Sequence, residues 1–410
     1  MERYELPDGW EWRELAQVLE IGSEQVNPFR FPDDLFNYLA LENIEQGSGK
    51  VIDFTPTPGK NIKSNKFKFT SKHVLYGKLR PYLRKAFAPD FEGVSATDLL
   101  PLLPDENSLD RKFLVWWLLS PQVIEYVVGK QAGVKMPRLR SNDLAQMPIP
   151  IPILTEQQRI VAKIESLFEQ SRAARTALTR VPVLMWQFRR AVLASATSGR
   201  LAEEWREMHP DAPEHRLVSL REVAKEFRYG TSTKSQKTGE VPVLRMGNIQ
   251  DRKLDWNDLV FTSDKSEIEK YKLTPGDVLF NRTNSPELVG KTAIYNGERP
   301  AIYAGYLIKV KCSDALLPDY LNYCLNSPAG RDWASQVKSD GVSQSNINAQ
   351  KLANFEFDLP PIEEQTEIVQ RVEKMFAQAD IINQAASASL RRAEQVDQSI
   401  LARAFRGELG

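Results

Sequence analysis

Residues 152–168 read PILTEQQRIVAKIESLF, and residues 360–376 read PPIEEQTEIVQRVEKMF. The second stretch is the first displaced by 360 − 152 = 208 positions. The same offset joins Glu156 to Glu364, Gln157 to Gln365, Phe168 to Phe376, Leu193 to Leu401, Gly199 to Gly407 and Leu201 to Leu409. No insertion or deletion separates the copies between Gly133/Gly341 and the C-terminal end. Length kept this faithfully is what a rigid spacer requires. Apolar residues recur at Ile160, Ile164, Leu167, Ala174, Leu178, Val181, Met185, Phe188 and Val192, with Ser171 filling one seam position. The steps alternate between four and three residues, the period of a coiled-coil seam. The second copy continues in phase at Ile368, Val372, Met375, Ala379, Ile382, Ala386, Ser389, Ala393, Val396 and Ile400. Each copy predicts a helix of roughly 40 residues, about 60 Å long. Thr155 suits the N-cap of the first, and Gly199 and Gly407 suit C-terminal caps. Pro182 predicts a kink or a brief break where the second copy has Leu390. A seam this narrow needs a partner, and equal length and phase favour packing within one chain over two separate dimerisation elements.

Around these helices the chain divides into a globular unit at 1–153, a helix at 154–201, a polar linker at 202–218, a second unit at 219–361 and a helix at 362–410. Tyr38–Leu41 and Val51–Phe54 predict short strands flanking a Gly-Ser-Gly turn. Arg111–Tyr126 predicts a buried helix broken near Ser120-Pro121, with Trp116 and Trp117 in the core. The proline-rich stretch 132–154 predicts extended backbone. The second unit mirrors the first: Val241–Gln250 resembles the segment from Tyr38, Gly276–Asn284 parallels Lys72–Arg80, Leu317–Pro328 parallels Leu109–Pro121, and Gly341–Asn348 parallels Gly133–Arg140. The fold class is therefore α+β, a tandem repeat with pseudo-two-fold character.

At 410 residues, 42% hydrophobic and 26% charged, the composition is that of a soluble protein of two or more domains. The N-terminal segment lacks the pattern of a signal peptide, and no apolar run could span a bilayer, so no membrane role and a cytoplasmic location are expected. Two cysteines and three histidines make neither a disulfide framework nor a zinc motif. No phosphate-cradling loop, dinucleotide fingerprint or nucleophile elbow is present, so no cofactor is expected on this chain.

The remaining polar chemistry suits nucleic acid. Residues 60–85 hold nine Lys and Arg, among them Lys63, Lys66, Lys68, Lys78, Arg80 and Arg84, with no acid and four interleaved aromatics. Cations contact phosphates, and the bland alternative is a solvated strand edge. A later loop adds Lys135, Arg138 and Arg140. In the second unit, Thr231, Ser232, Lys234, Arg245, Arg282, Asn284, Lys291, Ser343, Gln344 and Asn346 offer amides, hydroxyls and cations of the kinds that read bases and hold phosphates.

The repeated motifs, with Gly276–Lys291 (GDVLFNRTNSPELVGK) and Leu6-Pro-Asp-Gly-Trp-Glu-Trp12, give the whole chain a resemblance to the specificity subunits of type I restriction–modification systems. Lys78-Leu-Arg-Pro-Tyr82 departs from the Asn281-Arg-Thr-Asn284 form. The resemblance implies a non-catalytic subunit whose two target recognition domains each read half of a split, asymmetric site in double-stranded DNA. It implies that the helices pair antiparallel, set the distance between the halves, and dock two modification (methyltransferase) subunits and, through them, restriction subunits. S-adenosylmethionine, ATP and Mg would then bind to those partners. Two rivals compete with it: a stand-alone DNA-modifying enzyme, disfavoured by the missing motifs, and a coiled-coil scaffold without DNA contact, disfavoured by the acid-free run.

Overall fold

The computed structural model describes residues 3–130, 137–342 and 344–409. Two helices dominate it, Leu154–Thr197 with 44 residues and Ile362–Ala404 with 43. They lie antiparallel. Arg175 binds Asp397 at 2.8 Å, and further along Arg189 binds Asp380, so residue numbers rise on one helix as they fall on the other. Contacts divide the chain into two compact units, Met1–Thr179 with Ser387–Gly410, and Arg180–Ala386. Each unit thus takes part of both long helices.

Burial along the seam is uneven. Ile160, Ile164 and Ile400 are buried in the first unit, Ile368 and Val372 in the second. Leu167, Leu178, Met185 and Met375 are half-buried. Ile382, expected in the seam, is 48% exposed, and Ala174, Phe188 and Val396 also face solvent. A helix of 3.6 residues per turn drifts about 20° per heptad away from a strict 3.5 repeat, which carries mid-helix positions off the contact line. Arg175 and Asp397 fill it instead. Pro182 does not break its helix, which runs unbroken from Leu154 to Thr197. Proline removes one hydrogen bond, and the long run of intact turns on both sides carries the helix through. Gly199 and Gly407 adopt the left-handed conformation expected of C-terminal caps, with φ of 78° and 75°.

In the first unit an antiparallel sheet runs in the order Leu19–Ile21, Leu99–Pro104, Val74–Gly77, Ala86–Phe87. A second sheet contains Gln25–Val26, Lys66–Phe69, Gly93–Ser95 and Tyr38–Leu39, the last pair parallel. The expected strand from Tyr38 is only two residues long, and Val51 makes a single bridge to Ile44. Helices Arg111–Leu118 and Pro121–Lys130 break where Ser120-Pro121 predicted. Trp116 and Trp117 are core residues; Trp117 stacks edge-on against Phe405 with ring centres 5.0 Å apart.

The second unit repeats this plan. Its antiparallel sheet runs Ala224–Tyr229, Leu307–Cys312, Asp277–Asn281, Thr292–Tyr295. Strand for strand this is the order of the first unit, and it places Asp277–Asn281 where Val74–Gly77 stands, as the sequence alignment expects. Val241–Leu244 pairs parallel with Ile302–Tyr303, as Tyr38–Leu39 does with Gly93–Ser95. The helix pair Pro318–Asn326 and Pro328–Val337 matches the first unit's pair. Phe168 meets Trp116 in one unit, and Phe376 meets Tyr323 in the other.

The repeated glutamines explain the repeated motif. Gln157 is fully buried; its Oε1 accepts the Asp110 N–H at 2.8 Å, and its Nε2 donates to the carbonyls of Ser108 (2.8 Å) and Pro152 (2.9 Å). Gln365, equally buried, accepts the Leu317 N–H at 2.8 Å and donates to Ala315 and Pro360, each at 2.9 Å. One side chain ties the long helix to the loop that opens the helix pair.

Two connecting segments differ from expectation. Residues 202–218 are not a free linker: they include the helix Glu203–Met208, and Arg206 and His215 both bind the fully buried Glu364, His215 Nε2 at 2.9 Å. Arg216–Ser219 then pairs with Glu356–Leu359, as Glu11–Glu14 pairs with Pro148–Ile151. A buried carboxylate demands partners, and these hold the segment down. The stretch expected to be extended contains the short helix Ser141–Ala145 before strand Pro148–Ile151. Thr155 lies one residue inside its helix, within the usual ambiguity of helix ends.

Candidate nucleic-acid interface

In the second unit the chain leaving strand Asp277–Asn281 runs into a small polar ribbon. Thr283–Asn284 pairs with Ser345–Asn346, which pairs with Ser339–Asp340. Asn346 Nδ2 donates to Thr283 Oγ1 at 2.8 Å, and the Ser345 hydroxyl donates to Asp340. Amides and hydroxyls are the groups that base edges in a major groove require. Arg282 sits at its base, its guanidinium 4.8 Å from the centre of the Tyr229 ring, while the Tyr229 hydroxyl accepts the Ala349 N–H. The structure therefore gathers Arg282, Asn284, Gln344 and Asn346 from segments some sixty residues apart.

The other expected residues of this unit are placed differently. Thr231 is buried and donates to Glu267, whereas Ser232 and Lys234 are exposed on the loop beyond it. Arg245 is tied to Asp258, with Nη2 2.7 Å from its carbonyl. Lys291 is partly buried; burial, then the nearby Arg331 charge, holds its ammonium below the usual lysine range. Ser343 lies outside the described residues, as does Lys135 of the first unit.

The first unit builds the same junction with different side chains. Leu79 bridges Arg138, the Arg80 N–H donates to Pro137 at 2.8 Å, and the Leu139 N–H donates to Lys78 at 2.9 Å. Lys78, Arg80 and Arg138 thus share one place. Arg138 binds Asp98 at 3.2 Å, and Arg140 is exposed at the start of the next helix. Arg80 holds a left-handed backbone, φ 49°, a conformation uncommon outside glycine and asparagine.

The acid-free run does not form one basic face. Lys66 is buried 5.4 Å from the Tyr38 ring centre, and burial lowers its pKa. Lys68 binds Glu24 at 2.6 Å. Arg84 is half-buried against Gly47, and burial lowers its pKa too. Lys63 stays exposed. Acids distant in sequence supply the counter-charges that the run lacks. Neither thiol is a ready nucleophile: burial pushes Cys312 up to about 12 and Cys324 higher still. No helix among the described residues is long and apolar enough to cross a membrane.

The profile of the type I restriction modification DNA specificity domain matches residues 7–180 and again residues 214–391. The EcoKI specificity subunit of Escherichia coli (strain K12) is 28% identical over 426 residues, covering 98% of this chain and 90% of that protein. The StySPI specificity subunit of Salmonella potsdam is 28% identical over 431 residues, covering 100% of this chain and 91% of that one. The HsdS subunit from Thermoanaerobacter tengcongensis shares the fold, with a TM-score of 0.74 at 24% identity over 99% of this chain and 98% of that one. A chain from a structure concerned with complex assembly of the type I R-M system superposes with a TM-score of 0.71 at 25% identity, covering 99% of this chain and 100% of that one. Two profile matches, one over each copy of a fold repeated in tandem, make this chain a member of the type I restriction–modification DNA specificity family.

Proposed function

We propose that each unit reads one half of a split, asymmetric site in double-stranded DNA, and that the antiparallel helices fix the number of base pairs between the halves. The observation that carries this reading is where the copies agree and differ. They agree in the helix and its glutamine tie. They differ at the junction after the central strand, with Lys78, Arg80 and Arg138 in one unit and Arg282, Asn284, Gln344 and Asn346 in the other. Unlike readers on a shared frame suit two unrelated half-sites. The chain carries no catalytic group of its own in this reading. It works in the cytoplasm, and S-adenosylmethionine, ATP and Mg bind to its partners.

A salt-titrated DNA-binding assay tests the reading. Replacing Lys78, Arg80 and Arg138 together with Ala is expected to lower the slope of log affinity against log salt by about 2 to 3, and affinity at 0.1 M salt by roughly 10²-fold. Unchanged binding by a folded variant would mean that these cations are only a solvated surface.

The modification subunits dock on the long helices in the same reading. Val183, Leu184 and Trp186 are exposed on the first helix, Trp186 by 56%, and Ile381 is exposed on the second. Exposed apolar residues grouped on a helix mark an interaction surface. Trp186→Asp is expected to cut the yield of co-purified modification subunit by about half or more while leaving DNA affinity intact. Co-purification at the normal yield would place docking elsewhere.

A further inference from the structure

We propose that the second unit holds a subsite for one DNA backbone phosphate, in the cleft between the 285–289 loop and the helix Pro328–Val337. This rests on the DNA reading above and adds a contact to it. The cleft has a volume of about 320 Å³ and is lined by Pro286, Glu287, Val289, Arg331, Ser335 and Lys338. It adjoins the polar ribbon directly, because Lys338 is followed by Ser339, whose strand pairs with Asn346.

Arg331 is the centre of the argument. Its Nη2 donates to the Glu287 carbonyl at 2.9 Å, and its Nη1 is closed to solvent without a hydrogen-bond partner, so the group offers the cleft its charge and its outer edge rather than that donor. A guanidinium stays charged when partly buried, and its planar edge suits phosphate oxygens. Arg331 makes no ion pair within 4.0 Å among the described residues, and burial lowers its pKa. The guanidinium lies over Gly290, where a Cβ would meet Nη1 at 3.2 Å and the Ala334 Cβ at 2.9 Å. Gly290 also has φ of 84°, so the glycine of the Val-Gly-Lys motif makes room for the arginine.

Basic groups outnumber acids around the cleft, Lys351 among them, its Nζ donating to the Val337 carbonyl and the Ser339 hydroxyl. Lys338 Nζ stands 3.5 Å from both the Pro286 carbonyl and Asp340, each at the limit of a useful contact. Lys291 feels the Arg331 charge, and its other neighbour, Asp251, is already engaged by Arg252 at 2.9 Å. Against Arg331, Lys338 and Lys291 stand the exposed Glu287 and Asp340, and Asp340 is also held by the Ser345 hydroxyl. A net positive charge complements the negative charge of a phosphodiester. The Ser335 hydroxyl supplies a further donor on the cleft wall.

The test is a salt titration of the full chain, from 50 to 200 mM, on a mixed-sequence duplex. Arg331→Gln is expected to lower the slope of log affinity against log salt by about 0.9 and affinity at 0.1 M salt by roughly eightfold, whatever the sequence. Lys338→Gln should act in the same direction. Arg331→Lys, which keeps the charge, should keep the slope, and all three variants should melt as the parent does. Unchanged slopes in both Gln variants, with parental DNA binding intact, overturn the subsite and leave the DNA reading standing. A lower melting point that Arg331→Lys does not restore makes Arg331 a packing residue and overturns the subsite likewise. A parent chain without salt-sensitive DNA affinity overturns both.

Discussion

Gln365→Ala is expected to cost the second unit about 3 to 5 kcal/mol of stability, among the largest effects of any single polar substitution in this chain. The change orphans the Leu317 N–H and the carbonyls of Ala315 and Pro360 in a fully buried setting. Each orphaned group costs about 1–3 kcal/mol, less whatever an entering water recovers. Gln157→Ala should act alike in the first unit, through the Asp110 N–H and the carbonyls of Ser108 and Pro152. Gln365→Glu should be at least as harmful, because a carboxylate would face two carbonyls that need a donor. Urea unfolding gives the total, and amide exchange at Leu317 shows whether the loss begins at the tie. Stability within 1 kcal/mol of the parent, with Leu317 still protected, would contradict this account of the motif.

The second large effect concerns spacing. Seven residues inserted on each helix, after Leu178 and after Leu390, fall between the Arg175–Asp397 and Arg189–Asp380 bridges. Both bridges keep their register, and each helix lengthens by about 10.5 Å. The recognised gap should grow by about three base pairs at ~3.4 Å per pair. Three base pairs turn the duplex by about 100°, whereas a heptad leaves a helix face turned by only ~20°, so the longer site should be bound more weakly. Insertion in one helix alone breaks the register and should abolish modification. Full modification at the original gap after the double insertion would remove the helices from the role of ruler.

Much of the frame is legible in the sequence because it is periodic and local. The 208-residue offset, the paired helices, the break at Ser120-Pro121 and the buried Trp116 and Trp117 all rest on short-range pattern. The errors arise where tertiary contacts decide. Pro182 reads as a breaker, yet a 44-residue helix runs through it. Ile382 reads as a seam residue until drift turns it outward. The linker around Arg206 and His215 reads as polar connection because nothing local announces a buried Glu364.

The candidate interface was legible in kind more than in place. Residue types in the Asn281–Asn284 and Gln344–Asn346 segments point to base reading, but only the ladder Thr283 to Asn346 joins them. The run at 60–85 suggests one basic surface, yet Glu24 and the Tyr38 ring claim Lys68 and Lys66, and Arg84 turns inward. Arg331 has no signal in its own neighbourhood; the Val-Gly-Lys motif beneath it was the available clue.

Methylome sequencing of cells that carry this chain with its modification subunits tests the central claim most directly. The account predicts methylation at one split motif, with two unrelated half-sequences separated by a fixed run of unspecified bases. A continuous motif, a palindrome read by identical halves, or a gap that varies from site to site would contradict it.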